Sequence, residues 1–207
     1  NGGAWTELKQ AKFLLRHLIT DLALGAEFTS YFSCMDMIEA LNGTVGDLAS
    51  YLDYGYFGVI GADFDETGKA TGEYTPKMSY KALQTLSSLL CEEYEVITPD
   101  IQDEAQESIR LQGNDNPLKD VLTVGFRKAN GSAIAYWIPK NILTETIETT
   151  ISIRVHEEGE MRLIDLLTGD IYSMPETMIQ KAENGVILVN LPVTDSPLML
   201  TFGGFYE

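Results

Sequence analysis

The sequence predicts an α/β unit followed by an all-β sandwich, and three observations carry that expectation. Apolar residues recur at helical spacing in two segments before residue 92. One strand-like run lies between them, so the order is helix, strand, helix. Beyond residue 92 the apolar period changes to two, which sets a domain boundary there and divides the chain into 1–92 and 93–207.

The first helix is expected over Trp5 to Leu24. Leu8, Ala11, Leu15, Leu18 and Leu22 form its stripe, Leu14 and Ile19 widen it, and Gly25 is a natural stop. Glu27 to Phe32 is short and rich in aromatic and β-branched residues, the composition of a strand. A long loop follows through Asn42 to Asp47, reaching an apolar run at Tyr56 to Ile60 and a turn at Asp63 to Gly68. Thr75-Pro76 then offers an N-cap and a first helical residue, and Tyr80, Leu83, Leu86 and Leu90 repeat at helical spacing as far as Cys91 or Glu92.

Strands are expected at Tyr94 to Thr98, Ser108 to Gln112, Val121 to Arg127, Ser132 to Ile138, Thr149 to Val155, Met161 to Asp165, Val186 to Leu191 and Leu198 to Phe202. Asp170 to Met174 adds a shorter one. Turn signals such as Asn130-Gly131 separate them, and many short strands so punctuated read as a β-sandwich. The first part is different. One strand with two helices leaves a parallel sheet uncovered, so residues 1–92 read as an incomplete unit whose other strands lie in preceding sequence or in a partner chain.

Charge narrows the partners. With 31 acidic against 14 basic residues the formal net charge is -17, a field that repels phosphate backbones, so nucleic acid is not an expected partner. No run reaches the roughly 20 apolar residues of a membrane-spanning helix, and the first helix carries Lys9, Lys12, Arg16, His17 and Asp21, so no membrane partner is expected either. The chain reads as soluble, with a secreted or periplasmic setting left open. Cys34, Cys91, His17 and His156 are too few and too scattered for a disulfide framework or a metal site, and no cofactor is expected.

Three segments together resemble the end of the (β/α)8 barrel of retaining glycoside hydrolases of clan A, in particular the β-xylosidase-like and β-galactosidase-like members. They are Glu7 to Arg16, Thr29 to Phe32 with Asp36, and Thr75 to Gln84. The last barrel helix of those enzymes is often entered by Pro-Lys-Pro-(Ser/Ala)-Tyr-x-Ala-Leu, matched by Pro76 to Leu83 except that Met78 replaces the second Pro. Ile164 to Tyr172 and Asn190 to Leu198 are similar to the β-sandwich that follows such barrels. The resemblance therefore implies a barrel remnant, the last βα units of a TIM barrel over 1–92, and an all-β sandwich domain over 93–207.

It also implies chemistry by which a chain of this kind would act on an oligo- or polysaccharide together with the remaining barrel segment of the same protein. In clan A the acid/base Glu ends the fourth barrel strand and the nucleophile Glu ends the seventh, about 5 Å apart, and both would precede Asn1. No catalytic residue is therefore assigned here. Glu27 would stand at the wrong end of its strand. The end nearer the cleft holds Tyr31, Phe32 and Asp36, the candidate substrate-binding residues: rings stack on sugar faces and a carboxylate accepts sugar hydroxyls. Alternation along a strand sends only one of Tyr31 and Phe32 inward.

Other signals read as ordinary structure. Asp63 to Gly68 begins like a calcium loop, but its twelfth position is Tyr74 instead of Glu, so a turn is expected. Asp100, Asp103, Glu104 and Glu107 read as solvated surface, and the sequons at Asn42 and Asn130 as turns. Trp137 reads as core. The β region carries only scattered polar groups such as Asp165 and His156, so its expected role is structural.

Two functions follow. One is the hydrolase portion, inactive alone; the other is a self-contained, non-catalytic carbohydrate-binding or structural β-sandwich protein. The first expects the stripe of Leu8, Ala11, Leu15 and Leu18 to be bare in this chain, and the second expects it covered.

Overall fold

In the computed structural model, the residues described are 6–37, 57–65, 69–103, 121–139, 148–157 and 159–206. Helix α1 spans Glu7–Ala23. The hydroxyl of Thr6 accepts from the Lys9 N–H at 3.2 Å and starts it. Gly25, at φ 73°, ends it with N–H bonds back to the last turn. Helix α2 spans Met78–Leu89 and begins later than the Thr75-Pro76 signal suggests, because both residues belong to a strand and Lys77 is the N-cap. Lys77 makes no side-chain cap, and the Glu7 carboxylate of α1 instead accepts from the Met78 N–H at 3.2 Å.

Between the helices, β1 (Ile60–Phe64) and β2 (Ala70–Pro76) form an antiparallel hairpin. Asp65 closes its turn, its carboxylate and amide both bonded to Lys69. Then come β3 (Glu95–Ile97), β4 (Ile101–Asp103), β5 (Leu122–Lys128), β6 (Gly131–Trp137), β7 (Glu148–Val155) and β8 (Met161–Asp165). The chain continues through β9 (Ile171–Ser173), β10 (Ile179–Lys181), β11 (Val186–Thr194) and β12 (Leu198–Gly203). A six-stranded sheet has the order β3-β5-β6-β12-β8-β9, and a four-stranded sheet the order β10-β11-β7-β4. The expected strand Ser108 to Gln112 falls outside the described residues, as does the Asn42 turn.

The six-stranded sheet is the middle layer, and strand β6 shows why. Ala133, Ala135 and Trp137 face α1 and α2, joining Ala11, Leu15, Ile19, Ala82 and Leu86 in one buried cluster. Ile134 and Tyr136, one residue out of phase, face the four-stranded sheet and join Ile151, Ile153, Leu188, Leu191 and Val193. Covered on both faces, β6 reads as an unbroken buried run from Ser132 to Trp137. By contrast β11 is buried chiefly at alternate inward positions. A bulge between Leu188 and Leu191, with Asn190 at φ 56°, restores the inward phase.

This architecture corrects the expected fold class. The described residues hold two α-helices and three antiparallel sheets, which is not a remnant of a TIM barrel. Glu27 to Phe32 forms no strand. Further on, Ser33 to Asp36 exchanges backbone hydrogen bonds with Phe57 to Ile60, and among the described residues Met35 and Ile60 form an isolated parallel bridge. A barrel needs parallel neighbours on both sides of each strand, whereas this segment leads into an antiparallel hairpin. The helices are covered by the six-stranded sheet instead. Ala11 and Leu15 are fully buried there and Leu8 and Leu18 pack against the same cluster, so the stripe expected to be bare is covered by this chain's own residues.

A buried ion pair ties the helix layer to the sheets. Lys12 Nζ lies 2.9 Å from each Asp195 carboxylate oxygen, and both side chains are 0% exposed. The Arg16 guanidinium donates to the Asp195 carbonyl and lies 3.4 Å from its carboxylate. Burial lowers the Arg16 pKa, opposed by the attraction of Asp195. Asp195 sits in the connection between β11 and β12, so this cluster fixes α1 against that corner.

Candidate functional site

The residues singled out from the sequence lie where α1, the segment after it and the start of α2 converge. Gln10 is on the buried side of α1 and its side-chain amide donates to the Gly58 carbonyl at 2.8 Å and to the Tyr31 hydroxyl at 3.3 Å. Tyr31 is thereby held half-buried; burial raises its pKa, the Gln10 bond lowers it, and nearby Asp36 raises it again. Its hydroxyl is a neutral group at ordinary pH.

Asp36 is buried, 3% exposed. Its Oδ1 accepts from the Gly58 N–H at 3.1 Å and is paired with the Lys77 ammonium, which is also buried. Burial pushes the carboxyl pKa up, while Lys77 and the Gly58 N–H pull it down; the net direction is up. Gly58 is required by this closeness, because a Cβ there would lie 2.1 Å from the Asp36 backbone nitrogen.

Phe32 points the other way. It is 63% exposed and meets Phe57 edge to face, with ring centroids 6.2 Å apart. Phe28 is also exposed. The three candidates therefore separate: Tyr31 and Asp36 belong to a hydrogen-bonded junction, and Phe32 belongs to an aromatic surface. Asp36 is engaged by Lys77 and is not presented to a ligand. Phe32 and Phe57 can offer rings to an apolar or sugar face.

The groups the sequence did not single out are Gln10, Gly58 and Lys77, which complete the junction. Lys77 carried a signal, since a cation at the start of a helix is opposed by the helix dipole and calls for a nearby anion. Gln10 carried none: a polar residue beside an amphipathic stripe looks solvated until a second segment covers it. Among the described residues no group of three metal-ligating side chains comes together, and Cys34 and Cys91 are free and exposed. No helix among the described residues is long and apolar enough to cross a membrane.

No family model matches the chain, and no curated protein matches it.

Proposed function

We propose that this chain is a non-hydrolysing portion of a retaining glycoside hydrolase acting on β-glycosidic bonds of an oligo- or polysaccharide, its catalytic carboxylates supplied by a segment of the same protein before residue 1. The observation that supports this reading is the junction. The three segments that carry the resemblance meet through their own residues: Gln10 of the first bonds Tyr31 of the second, Asp36 of the second pairs with Lys77 of the third, and Glu7 of the first caps Met78 of the third.

On this reading the junction positions the 31–36 segment and does not perform chemistry. A displacement through a glycosyl-enzyme intermediate needs two carboxylates about 5 Å apart, one as nucleophile and one as acid/base. Asp36, the one carboxylate among the candidate residues, is bonded to Lys77 and the Gly58 N–H.

The test is the sequence preceding residue 1 together with the activity of the longer polypeptide. A catalytic Glu in that preceding sequence is expected. The longer protein should hydrolyse an aryl β-glycoside with retention, read from the first-formed anomer by proton NMR, while the 207-residue chain should not. No such Glu, or turnover by this chain that is lost on Glu27→Ala or Asp36→Ala, would refute the assignment.

The second reading, a self-contained carbohydrate-binding or structural protein, is favoured by one observation that goes against the bare stripe expected of the first: the α1 stripe is covered from within the chain. The longer polypeptide decides between them, since a self-contained protein keeps no glycosidase partner.

A further inference from the structure

At one end of the sandwich the two sheets separate and leave a cleft of about 590 Å³. Its floor is the end of the inter-sheet core, Leu163, Leu198 and Val193, all buried. Its walls are not what an inward sheet face ordinarily carries. Thr149 pairs with Val193, Asp165 with Leu198 and Tyr172 with Leu163, and paired residues in an antiparallel sheet share a face. The alternation that buries Ile151 and Leu163 therefore also directs a hydroxyl, a carboxylate and a phenol toward the space between the sheets.

These groups lie on three strands, Asp165 and Tyr172 on the paired strands β8 and β9 and Thr149 on β7 of the other sheet. Tyr172 is 51% exposed, although it sits opposite a buried leucine. Asp165 already accepts the Leu167 N–H at 2.8 Å. Asp170, which also bonds the hydroxyl, and more weakly Asp165 raise the Tyr172 pKa, so the hydroxyl stays protonated with Asp170 as its partner, and it is the ring that is left to a ligand. An apolar floor with a few placed polar groups, in a space of this size, is the common form of a small-ligand site.

We propose that this cleft binds a neutral oligosaccharide, with the Tyr172 ring against a sugar face and Asp165 and Thr149 bonding its hydroxyls. The chemistry selects the class. A net charge of -17 disfavours phosphates and other anions. Asp165 accepts one backbone amide at Oδ1, which leaves Oδ2 for a sugar hydroxyl. A cationic ligand is the competing class, because Asp165 lines the cleft and Asp170 bonds the Tyr172 hydroxyl, and the tetralysine titration separates the two. Hydroxyls facing an aromatic ring and an apolar floor match a pyranose, which has both an apolar face and a polar rim. The inference does not rest on the hydrolase reading, since a saccharide can bind here whether or not a longer protein cleaves it.

Titration of the 207-residue chain with cellotetraose, xylotetraose and β-1,4-galactotetraose, followed by amide chemical shifts, tests it. At least one should bind saturably with Kd below about 1 mM. The shifts should concentrate at Thr149, Leu163, Asp165 and Tyr172. Tyr172→Ala should weaken binding roughly tenfold, equivalent to about 1.4 kcal/mol. Tyr172→Phe should retain most of it, and Tyr74→Ala, an exposed tyrosine on the β1–β2 hairpin, should leave it unchanged. The shift map on the unmodified chain stands even if Tyr172→Ala fails to fold. No saturable binding, shifts confined to the Phe32–Phe57 surface, or stronger binding of tetralysine than of any tetrasaccharide would overturn the proposal and leave the inward polar groups as protection of the β9 edge.

Discussion

Replacing Asp195 by Asn tests whether one buried charge pair holds the helix layer to the sheets. Both partners are 0% exposed, and each Asp195 oxygen lies 2.9 Å from Lys12 Nζ. Asn keeps the shape and one acceptor oxygen but leaves the Lys12 ammonium buried without a counter-charge, a change that costs about 3–5 kcal/mol. Lys12→Met should cost less, because the abandoned Asp195 carboxylate still has Arg16 at 3.4 Å. Lys12→Met combined with Asp195→Leu removes both charges, and its stability should return to within about 1 kcal/mol of the parent, since well-packed apolar pairs match buried ion pairs. Urea unfolding followed by far-UV circular dichroism reads the effect. With a slope of about 2–3 kcal/mol per molar, the Asp195→Asn midpoint should fall by roughly 1–2 M. A shift below about 0.3 M, or a double variant no more stable than the sum of the singles predicts, would show that the pair is not the tie between layers.

Lys77→Met should leave Asp36 buried without its cation and raise its carboxyl pKa further. A folded-state pKa above the ordinary 3.8 means that the folded protein binds the proton more tightly. The stability tied to that proton is full below 3.8 and is lost as pH rises through the folded value, so the variant should lose stability relative to the parent on going from acid to neutral pH, measured by unfolding midpoints across that range. Glu7→Ala removes the acceptor for the Met78 N–H and should cost about 0.5–1 kcal/mol, read by the same unfolding curves. Gly131→Ala places a Cβ 2.1 Å from the Phe202 carbonyl oxygen, and since the obstacle is backbone it should cost at least about 2 kcal/mol and lower the thermal midpoint by several degrees.

Local pattern carried much of the secondary structure. The stripe of Ala11, Leu15 and Ile19 and the positive-φ glycine after it are properties of one segment, and α1 forms with its stop at Gly25. Period-two runs such as Val121 to Arg127 and Ser132 to Ile138 became β5 and β6 because a two-residue turn and alternating side chains need only neighbouring residues. Thr75-Pro76 failed as a helix start because a paired strand, β2, took both residues. Glu27 to Phe32 failed as a strand for the converse reason: composition suits a pleated surface, but a strand exists only where another chain segment accepts its hydrogen bonds.

The candidate site was legible in residue type and not in use. Tyr31, Phe32 and Asp36 lie within six positions of one another, yet one is half-buried against Gln10, one is exposed and one is sealed by Lys77. The sequence by itself determined the strongly negative net charge, the two amphipathic helices and most of the strands, since each depends on composition or short-range period. Only the tertiary structure decided which sheet covers the helices, that Lys12 and Asp195, separated by 183 positions, share one buried contact, and that Thr149, Asp165 and Tyr172 face a common cleft. These are outcomes of long-range pairing: register and layer order set which inward positions meet, and neither is encoded in the spacing of residues along a single segment.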